Sequence, residues 1–287
     1  MTHALVIGCG YSGARVAAAH LARGDDVTAV TRSSPEIQGV RHLQLDIDAT
    51  RIPALPQVDR VYYTVPPPAS GVNDPRLARV LAALPPPRIF AYFSTTGVYG
   101  HCGGALVDET ASLKPGTDRA RRRVDAERQV NEWCAQRNVA LAILRIAGIY
   151  GPRRLPLDRL RAGEPVPDPA DTGPGNRIHV DDLANAAVAI ADSDGRGTWN
   201  VSDGNPMSVA DFNDVVADAA VLPRARRVPL DSPEISPGLR SFLRESRQID
   251  NRKLLSLTDF TLRYADPSQG IRESLTIRPV TDEEDGR

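Results

Sequence analysis

The chain has 287 residues, of which 41% are hydrophobic and 25% charged, and its formal net charge is −1. This size fits one large domain with a smaller lobe, and the near-neutral charge gives no electrostatic reason to expect nucleic-acid or membrane binding. Its 3 cysteines lack metal-ligand spacing, which predicts a reducing compartment, no disulfide framework and no metal site. No apolar run approaches the roughly 18 residues of a membrane span. Because no signal sequence follows Met1, a cytoplasmic location is expected.

Apolar runs alternate with helical patterns along the first half of the chain. The predicted strands are Ala4–Ile7, Asp26–Thr31, Val40–Asp46, Val58–Val65, Arg88–Ser94 and Ala140–Ile146. The predicted helices are Ala14–Arg23, Asp74–Leu84 and Thr117–Asn138. Strands that alternate with helices indicate right-handed βαβ units, so the sequence predicts an α/β fold with a doubly wound parallel sheet of the Rossmann type.

A glycine-rich loop, Gly8-Cys9-Gly10-Tyr11-Ser12-Gly13, joins the first predicted strand to the first predicted helix. In this context Gly8 permits a tight turn, Gly10 lets the backbone approach a pyrophosphate, and Gly13 lets the helix pack against the strand. Tyr11 and Ser12 complete the loop as candidate cofactor contacts, and the N-terminus of the following helix then offers free N–H groups to the phosphates. The loop therefore predicts a dinucleotide site; the alternative is a tight turn in a doubly wound protein without a nucleotide.

The end of the second predicted strand bears on the choice between NAD and NADP. NAD enzymes usually carry Asp or Glu here, whereas this chain has Arg32 followed by Ser33. Because a guanidinium beside hydroxyl groups suits a 2′-phosphate, NADP is preferred over NAD, unless Arg32 is only a solvated surface residue. Asp46 could accept a hydrogen bond from the adenine amino group or only cap a turn. Pro66, which stops the fourth strand, is the remaining candidate cofactor contact.

Three further motifs, Ser94–Gly100, Leu144–Pro152 and Arg177–Ala184, follow the glycine loop in order. With that loop, the chain resembles the extended short-chain dehydrogenase/reductases, the NAD-dependent epimerase/dehydratase family. The resemblance covers nearly the whole length. It implies a Rossmann domain with a small C-terminal substrate lobe. His179, together with Asp181 and Asp182, is expected to fasten this lobe to the core through local hydrogen bonds.

The predicted domain organisation follows from the resemblance and from the weaker strand–helix alternation after Pro152. Residues 1–152 and 178–204 are expected to form the NAD(P)-binding domain. Residues 153–177 and 205–280 are expected to form the substrate-binding lobe. Residues 281–287 are expected to be a disordered tail.

The resemblance also assigns candidate catalytic residues. Thr95 matches the catalytic Ser/Thr of the family, although its hydroxyl could merely cap a turn. The family places a Tyr and, four residues later, a Lys on the long helix; alignment on Glu127 puts Arg119 at the Tyr position and Arg123 at the Lys position. Arg123 could keep the positive charge beside the nicotinamide ribose. Arg119 cannot shuttle protons, since a guanidinium releases its proton only above about pH 12, but it could clamp an anionic substrate.

The alternative for this arginine-rich helix is a solvated face. That alternative is favoured for Arg121 and Arg122, whereas both interpretations stay open for Arg119.

Three functions remain open. The first is an NADP-dependent oxidoreductase that lacks the usual Tyr and acts on a small carbonyl or alcohol substrate, with Thr95 polarising the carbonyl. An anionic group on this substrate would suit Arg119. The second is a non-catalytic NAD(P)-binding redox sensor or scaffold. The third is a sugar-nucleotide epimerase or dehydratase. The balance favours an enzyme, and the chain is expected to be a monomer or a homodimer.

Overall fold

A computed structural model of the chain describes residues 1–32 and 37–276. Among these residues, the strands are β1 His3–Ile7, β2 Asp26–Thr31, β3 Arg41–Gln44, β4 Arg60–Tyr63, β5 Ile89–Thr95, β6 Leu106–Val107, β7 Ala140–Ile146, β8 Gly148–Tyr150, β9 Val166–Pro167, β10 Arg177–His179, β11 Gly197–Val201, β12 Arg227–Val228 and β13 Gln248–Ile249. The helices are α1 Tyr11–Leu21, α2 Pro75–Ala83, α3 Asp118–Arg137, α4 Leu157–Arg161, α5 Val180–Asp192, α6 Val209–Ala220, α7 Pro237–Leu243, α8 Arg252–Leu255 and α9 Pro267–Thr276. Short 3₁₀ helices span Thr96–Tyr99 and Pro169–Asp171.

A seven-stranded parallel sheet forms the centre of the fold, in the order β11-β7-β5-β4-β1-β2-β3. The strand order reverses direction at β1, whose Ile7 pairs with Val30 of β2 on one side and Tyr63 of β4 on the other. Such a reversal creates a crevice at the carboxyl ends of the strands, where ligands bind in open α/β sheets. The predicted doubly wound α/β fold is confirmed.

Helices cover both faces of this sheet. Helices α1 and α5 pack together on one face, and α2 and α3 pack together on the other. Local sequence explains where these helices begin. The Asp74 carboxylate caps α2, with Pro75 as the first helical residue, and the Thr117 hydroxyl accepts a hydrogen bond from the Ala120 N–H at the start of α3. Asn138 ends α3 in the left-handed conformation.

Two of the element boundaries that differ from the sequence prediction have a local physical reason. Helix α1 begins at Tyr11, three residues before the predicted Ala14, because Gly10 already stands at the cap position. Strand β4 ends at Tyr63 instead of Val65. There the Thr64 hydroxyl donates to the Gly8 carbonyl oxygen at 2.5 Å, which draws the chain towards the glycine loop.

The residues after Pro152 include two apolar clusters separate from the sheet core. One joins Tyr150 and Leu160 to residues of α6 and α9, and the other joins Val228, Ile235 and Leu243. We refer to residues 153–177 and 205–276 as the C-terminal lobe; its predicted residues 277–280, and the predicted tail 281–287, lie outside the described residues.

Two buried polar residues at the start of α5 connect this lobe to the sheet. The His179 ring lies 3.2 Å from the Ser274 hydroxyl of α9. The Asp182 carboxylate accepts the backbone N–H groups of Arg263 and Tyr264 at 2.9 and 2.8 Å. None of the described helices is long and apolar enough to cross a bilayer.

Candidate active site

The glycine-rich loop lies at the crevice between β1 and β4. Gly8 has φ +93°, and a Cβ there would lie 2.5 Å from Val65 Cγ2. A Cβ on Gly13 would lie 2.4 Å from the Gly8 carbonyl oxygen. By contrast, a Cβ on Gly10 would meet no atom within 4 Å. Gly8 and Gly13 therefore allow close packing inside the protein, while Gly10 leaves space in front of the helix.

The N-terminus of α1 faces this space. Gly10 is the N-cap residue of α1, and no side chain among the described residues makes a capping hydrogen bond there. The first turn contains no acidic residue. The Ala14 N–H makes the first helical hydrogen bond, to the Gly10 carbonyl oxygen at 2.8 Å. The preceding amides of Tyr11, Ser12 and Gly13 carry the partial positive charge of the helix end. Free N–H groups at a helix N-terminus suit the oxygens of a phosphate or diphosphate group.

The predicted adenosine-side residues lie along the ends of β2 and β3. Arg32 is exposed directly after β2, and its carbonyl oxygen accepts a hydrogen bond from the Gln44 side chain at 3.1 Å. Asp46 is also exposed, and its carboxylate accepts the Asp48 N–H at 2.9 Å, which is a turn-capping contact. Ser33 lies outside the described residues.

A cavity of about 530 Å³ opens at the carboxyl ends of β5 and β7 and extends under the C-terminal lobe. Pro66 is exposed at its edge, where the residues after β4 line the cavity. The lining includes the guanidinium-bearing residues Arg119, Arg122, Arg123, Arg154, Arg177 and Arg247. Glu245 is the carboxylate in this lining, and it pairs with Arg247 at 3.0 Å. Positive charge thus exceeds negative charge in the described lining.

Thr95 is half-buried at the end of β5 and lines this cavity. Its Oγ1 accepts the Gly97 N–H at 3.2 Å, so the hydroxyl caps the 3₁₀ helix that follows. The hydroxyl proton is not used by that contact and can donate to a substrate oxygen. The two interpretations of Thr95, turn cap and substrate contact, are therefore compatible.

The two arginines that the sequence alignment predicts at the positions of the family's Tyr and Lys both line the cavity. Arg119 is exposed in the first turn of α3. Arg123, one turn later, donates through Nη1 to the Phe93 carbonyl oxygen at 2.5 Å and to the Tyr92 hydroxyl at 3.2 Å. Burial raises the pKa of Tyr92 to about 12 despite the adjacent guanidinium, so this phenol stays protonated at neutral pH.

The family model for the NAD dependent epimerase/dehydratase family matches residues 4–202, which is more than half of the chain. The chain belongs to the NAD-dependent epimerase/dehydratase family. The sequence matches no functionally curated protein.

Solved structures of similar fold cover nearly all of the chain. A functionally unknown conserved protein from Silicibacter pomeroyi is 28% identical, with a TM-score of 0.80, over 96% of this chain and 99% of that chain. UDP-glucuronic acid 4-epimerase from Bacillus cereus, solved with NAD, is 18% identical, with a TM-score of 0.75, over 94% and 96% of the two chains. UDP-N-acetylglucosamine 4-epimerase from Methanobrevibacter ruminantium is 16% identical, with a TM-score of 0.73, over 96% and 97%.

One prediction about the arginine-rich helix of this family member is wrong. Arg122 was expected on a solvated face, but it is buried, and its Nη1 donates to the Gly71 carbonyl oxygen at 2.7 Å. The segment that follows β4 folds over α3 and covers it. Arg121 does lie on the exposed face, where it pairs with Asp118 at 2.6 Å.

Sequence reasoning also missed a buried polar network behind Thr95. The carboxylate of Glu127 accepts the Ser94 hydroxyl at 2.5 Å and pairs with Arg145 at 2.9 Å. Arg145 further donates to the Tyr99 hydroxyl at 3.1 Å, which itself donates to Asn200 at 2.7 Å. The signals available in the sequence were Glu127, the residue on which the long helix was aligned with the family, and Arg145, which lies in the motif Leu144–Pro152. Because Glu127 and Arg145 are both buried and hydrogen-bonded, the network holds the end of β5 in place.

The described residues contain no group of three or more His, Cys, Asp or Glu side chains placed to hold a metal ion.

Proposed function

We propose that this family member binds a nicotinamide dinucleotide at the glycine loop and performs redox chemistry on an anionic, nucleotide-linked sugar in the adjoining cavity. The charge of that cavity carries the proposal. In the described part of its lining, six arginines face one carboxylate, Glu245, which pairs with Arg247. Guanidinium groups suit the oxygens of a diphosphate. The volume of about 530 Å³ lies within the range of roughly 300–1,000 Å³ that small-molecule sites occupy.

The glycine loop supports the cofactor part of the proposal. The space in front of Gly10 and the uncapped start of α1 fit the diphosphate of a dinucleotide. The exposed guanidinium of Arg32, at the end of β2, is suited to a 2′-phosphate, which supports NADP over NAD. When bound, the dinucleotide supplies the hydride acceptor or donor.

The residues of this chain would then position the reacting carbon and its oxygen. The Thr95 hydroxyl can donate to that oxygen, while Arg123 supplies fixed positive charge one helical turn below Arg119. Two described lining residues other than the arginines are ionisable. Burial raises the pKa of Tyr150, so its phenol stays protonated, whereas Glu245 has a carboxylate that could accept a proton.

The fold neighbours agree with this substrate class. Several of them are epimerases of UDP-linked sugars. Epimerase or dehydratase chemistry ranked third on the sequence alone. Because the cavity is cationic, we favour epimerase or dehydratase chemistry over the reduction of a small uncharged carbonyl compound.

A second candidate is a non-catalytic dinucleotide-binding protein. It is supported by the sequence alignment on Glu127, which puts Arg119 where the family carries its acid/base tyrosine. This candidate keeps the cofactor site and predicts that no substrate is turned over.

One experiment separates these functions. The purified chain is titrated with NADH and NADPH, and then incubated with NAD⁺ or NADP⁺ and a panel of UDP-, dTDP- and GDP-linked sugars. Reduced nicotinamide is followed by absorbance and the sugars by NMR, because epimerisation leaves no net reduced cofactor. A second panel of aldehydes, ketones and keto acids is tested with NADPH.

Turnover of a nucleotide sugar that is lost in Thr95→Val supports the proposal. Turnover confined to the carbonyl panel supports a small-molecule reductase instead. Saturable cofactor binding without turnover in either panel supports the non-catalytic protein, and failure to bind either dinucleotide contradicts both.

A further inference from the structure

The phenol ring of Tyr11, inside the glycine loop, is covered by two guanidinium groups. Arg15 Cζ lies 4.4 Å and Arg154 Cζ 4.0 Å from the ring centroid. The two arginines differ in their other contacts. Arg15 pairs with Asp181 at 3.1 Å, whereas no carboxylate of the described residues pairs with Arg154. Arg154 therefore brings unneutralised charge to the glycine loop.

Arg154 belongs to the C-terminal lobe, 143 positions after Tyr11 in the sequence, and it lines the cavity. A tight turn places it there. The Arg154 N–H donates to the Gly151 carbonyl oxygen at 3.0 Å, with Pro152 and Arg153 between them. Arg153 has φ +65°, as expected for the third residue of a type II turn, where glycine is usual. A side-chain-bearing residue held in this conformation is strained, and such strain is common at functional sites.

We propose that Arg154 binds the diphosphate of the dinucleotide from the lobe side, opposite the N–H groups of α1. Tyr11 is the first residue of that helix, so a guanidinium packed on its ring lies beside the anion site. A guanidinium provides several coplanar donors for phosphate oxygens. The proposal rests on the proposed cofactor site. It adds that the lobe contributes a residue to cofactor binding, which couples cofactor affinity to the position of the lobe.

A nucleoside diphosphate substrate carries the same diphosphate group as the dinucleotide. The test must therefore separate binding of Arg154 to the cofactor from binding of Arg154 to the substrate. Binding of NADH, ADP, adenosine and UDP is measured by calorimetry for the wild-type chain, Arg154→Gln and Arg153→Gln. Arg153 is the matched control because it is exposed, adjacent and equally charged, and it does not line the cavity. Thermal unfolding of each variant checks the fold.

The expected result is that Arg154→Gln weakens NADH and ADP about tenfold, while adenosine and UDP change less than threefold. Arg153→Gln should leave all four ligands within threefold of the wild-type chain. Equal losses in both variants, an equal loss of adenosine, or a loss confined to UDP would each overturn the proposal. If the wild-type chain binds neither NADH nor NADPH, the proposed function itself fails.

Discussion

The guanidinium of Arg123 donates to the carbonyl oxygen of Phe93 at 2.5 Å, which ties Arg123 to the strand that ends in Thr95. This contact uses one of the guanidinium nitrogens. The remaining donors stay available to the cavity that Arg123 lines. Arg123 thus contributes a positive charge to the lining of this cavity.

Substitution of Arg123 by Met is expected to weaken dinucleotide binding roughly tenfold, because a charge-assisted hydrogen bond to the cofactor would be lost. Fluorescence titration with NADH and NADPH measures the change. Arg121→Met is the control: Arg121 lies on the same helix, exposed and paired with Asp118. Equal affinities in the two variants would contradict the role assigned to Arg123.

The glycine loop allows the fold and the ligand to be tested separately. Gly10→Ala places a methyl group where no protein atom lies within 4 Å, at φ −85°. Its stability should therefore change by less than about 1 kcal/mol, while NADH and NADPH binding is lost because the methyl group fills the diphosphate approach. Gly13→Ala places a methyl group 2.4 Å from the Gly8 carbonyl oxygen, and should cost about 1–3 kcal/mol of stability as well as binding.

Urea denaturation measures the change in stability of each variant, and titration with NADH and NADPH measures the change in cofactor binding. Gly238→Ala is the control, since a Cβ there also meets no atom within 4 Å and the residue lies in the lobe. A Gly10→Ala protein that binds cofactor normally would show that the space in front of α1 is not the phosphate site.

Much of the sheet could be predicted because long apolar runs leave little choice of conformation. The predicted bounds of β2, Asp26–Thr31, and of β7, Ala140–Ile146, agree with the structure. The glycine loop was also placed correctly between β1 and α1, since strand, loop and helix patterns coincide there. Shorter strands were less predictable: β3 spans only Arg41–Gln44 of the predicted Val40–Asp46.

What could not be predicted depends on contacts between distant segments. The burial of Arg122 requires the residues around Gly71 to fold over α3, and no local pattern encodes that contact. In the same way, the packing of Arg154 on Tyr11 follows from the position of the lobe relative to the sheet. Helical periodicity assigns a face to a residue, but it does not state what will cover that face.

Cofactor preference can be tested at Arg32. In Arg32→Asp the new carboxylate can accept hydrogen bonds from ribose hydroxyls and repels a 2′-phosphate. The ratio of NADPH to NADH affinity is therefore expected to fall at least about tenfold. Arg196→Asp makes the same charge change at an exposed residue beside β11, at the opposite edge of the sheet from β2 and β3, and should leave the ratio unaltered. A ratio that does not differ between the two variants would remove the argument for NADP.

The stability of the fold should depend on pH through Asp203, a buried residue beside the cavity residue Arg177. Burial raises the pKa of Asp203 to about 7, although the Asn205 N–H and the Arg177 charge oppose the shift and Asp182 adds to it. The folded chain therefore holds a proton that the unfolded chain releases near pH 4. Because proton binding favours the folded state, stability falls as the pH rises from about 4 to about 7.

Urea denaturation at pH 5 and pH 8 measures this dependence. In the wild-type chain, the contribution of Asp203 should make the protein less stable at pH 8 than at pH 5 by on the order of 2–3 kcal/mol. Asp203→Asn removes the titrating group and keeps an oxygen for the Asn205 N–H, so the difference between the two pH values should shrink. Part of it should persist, because burial also raises the pKa of Asp182. An unchanged difference in Asp203→Asn would show that Asp203 is ionised in the folded chain at both pH values.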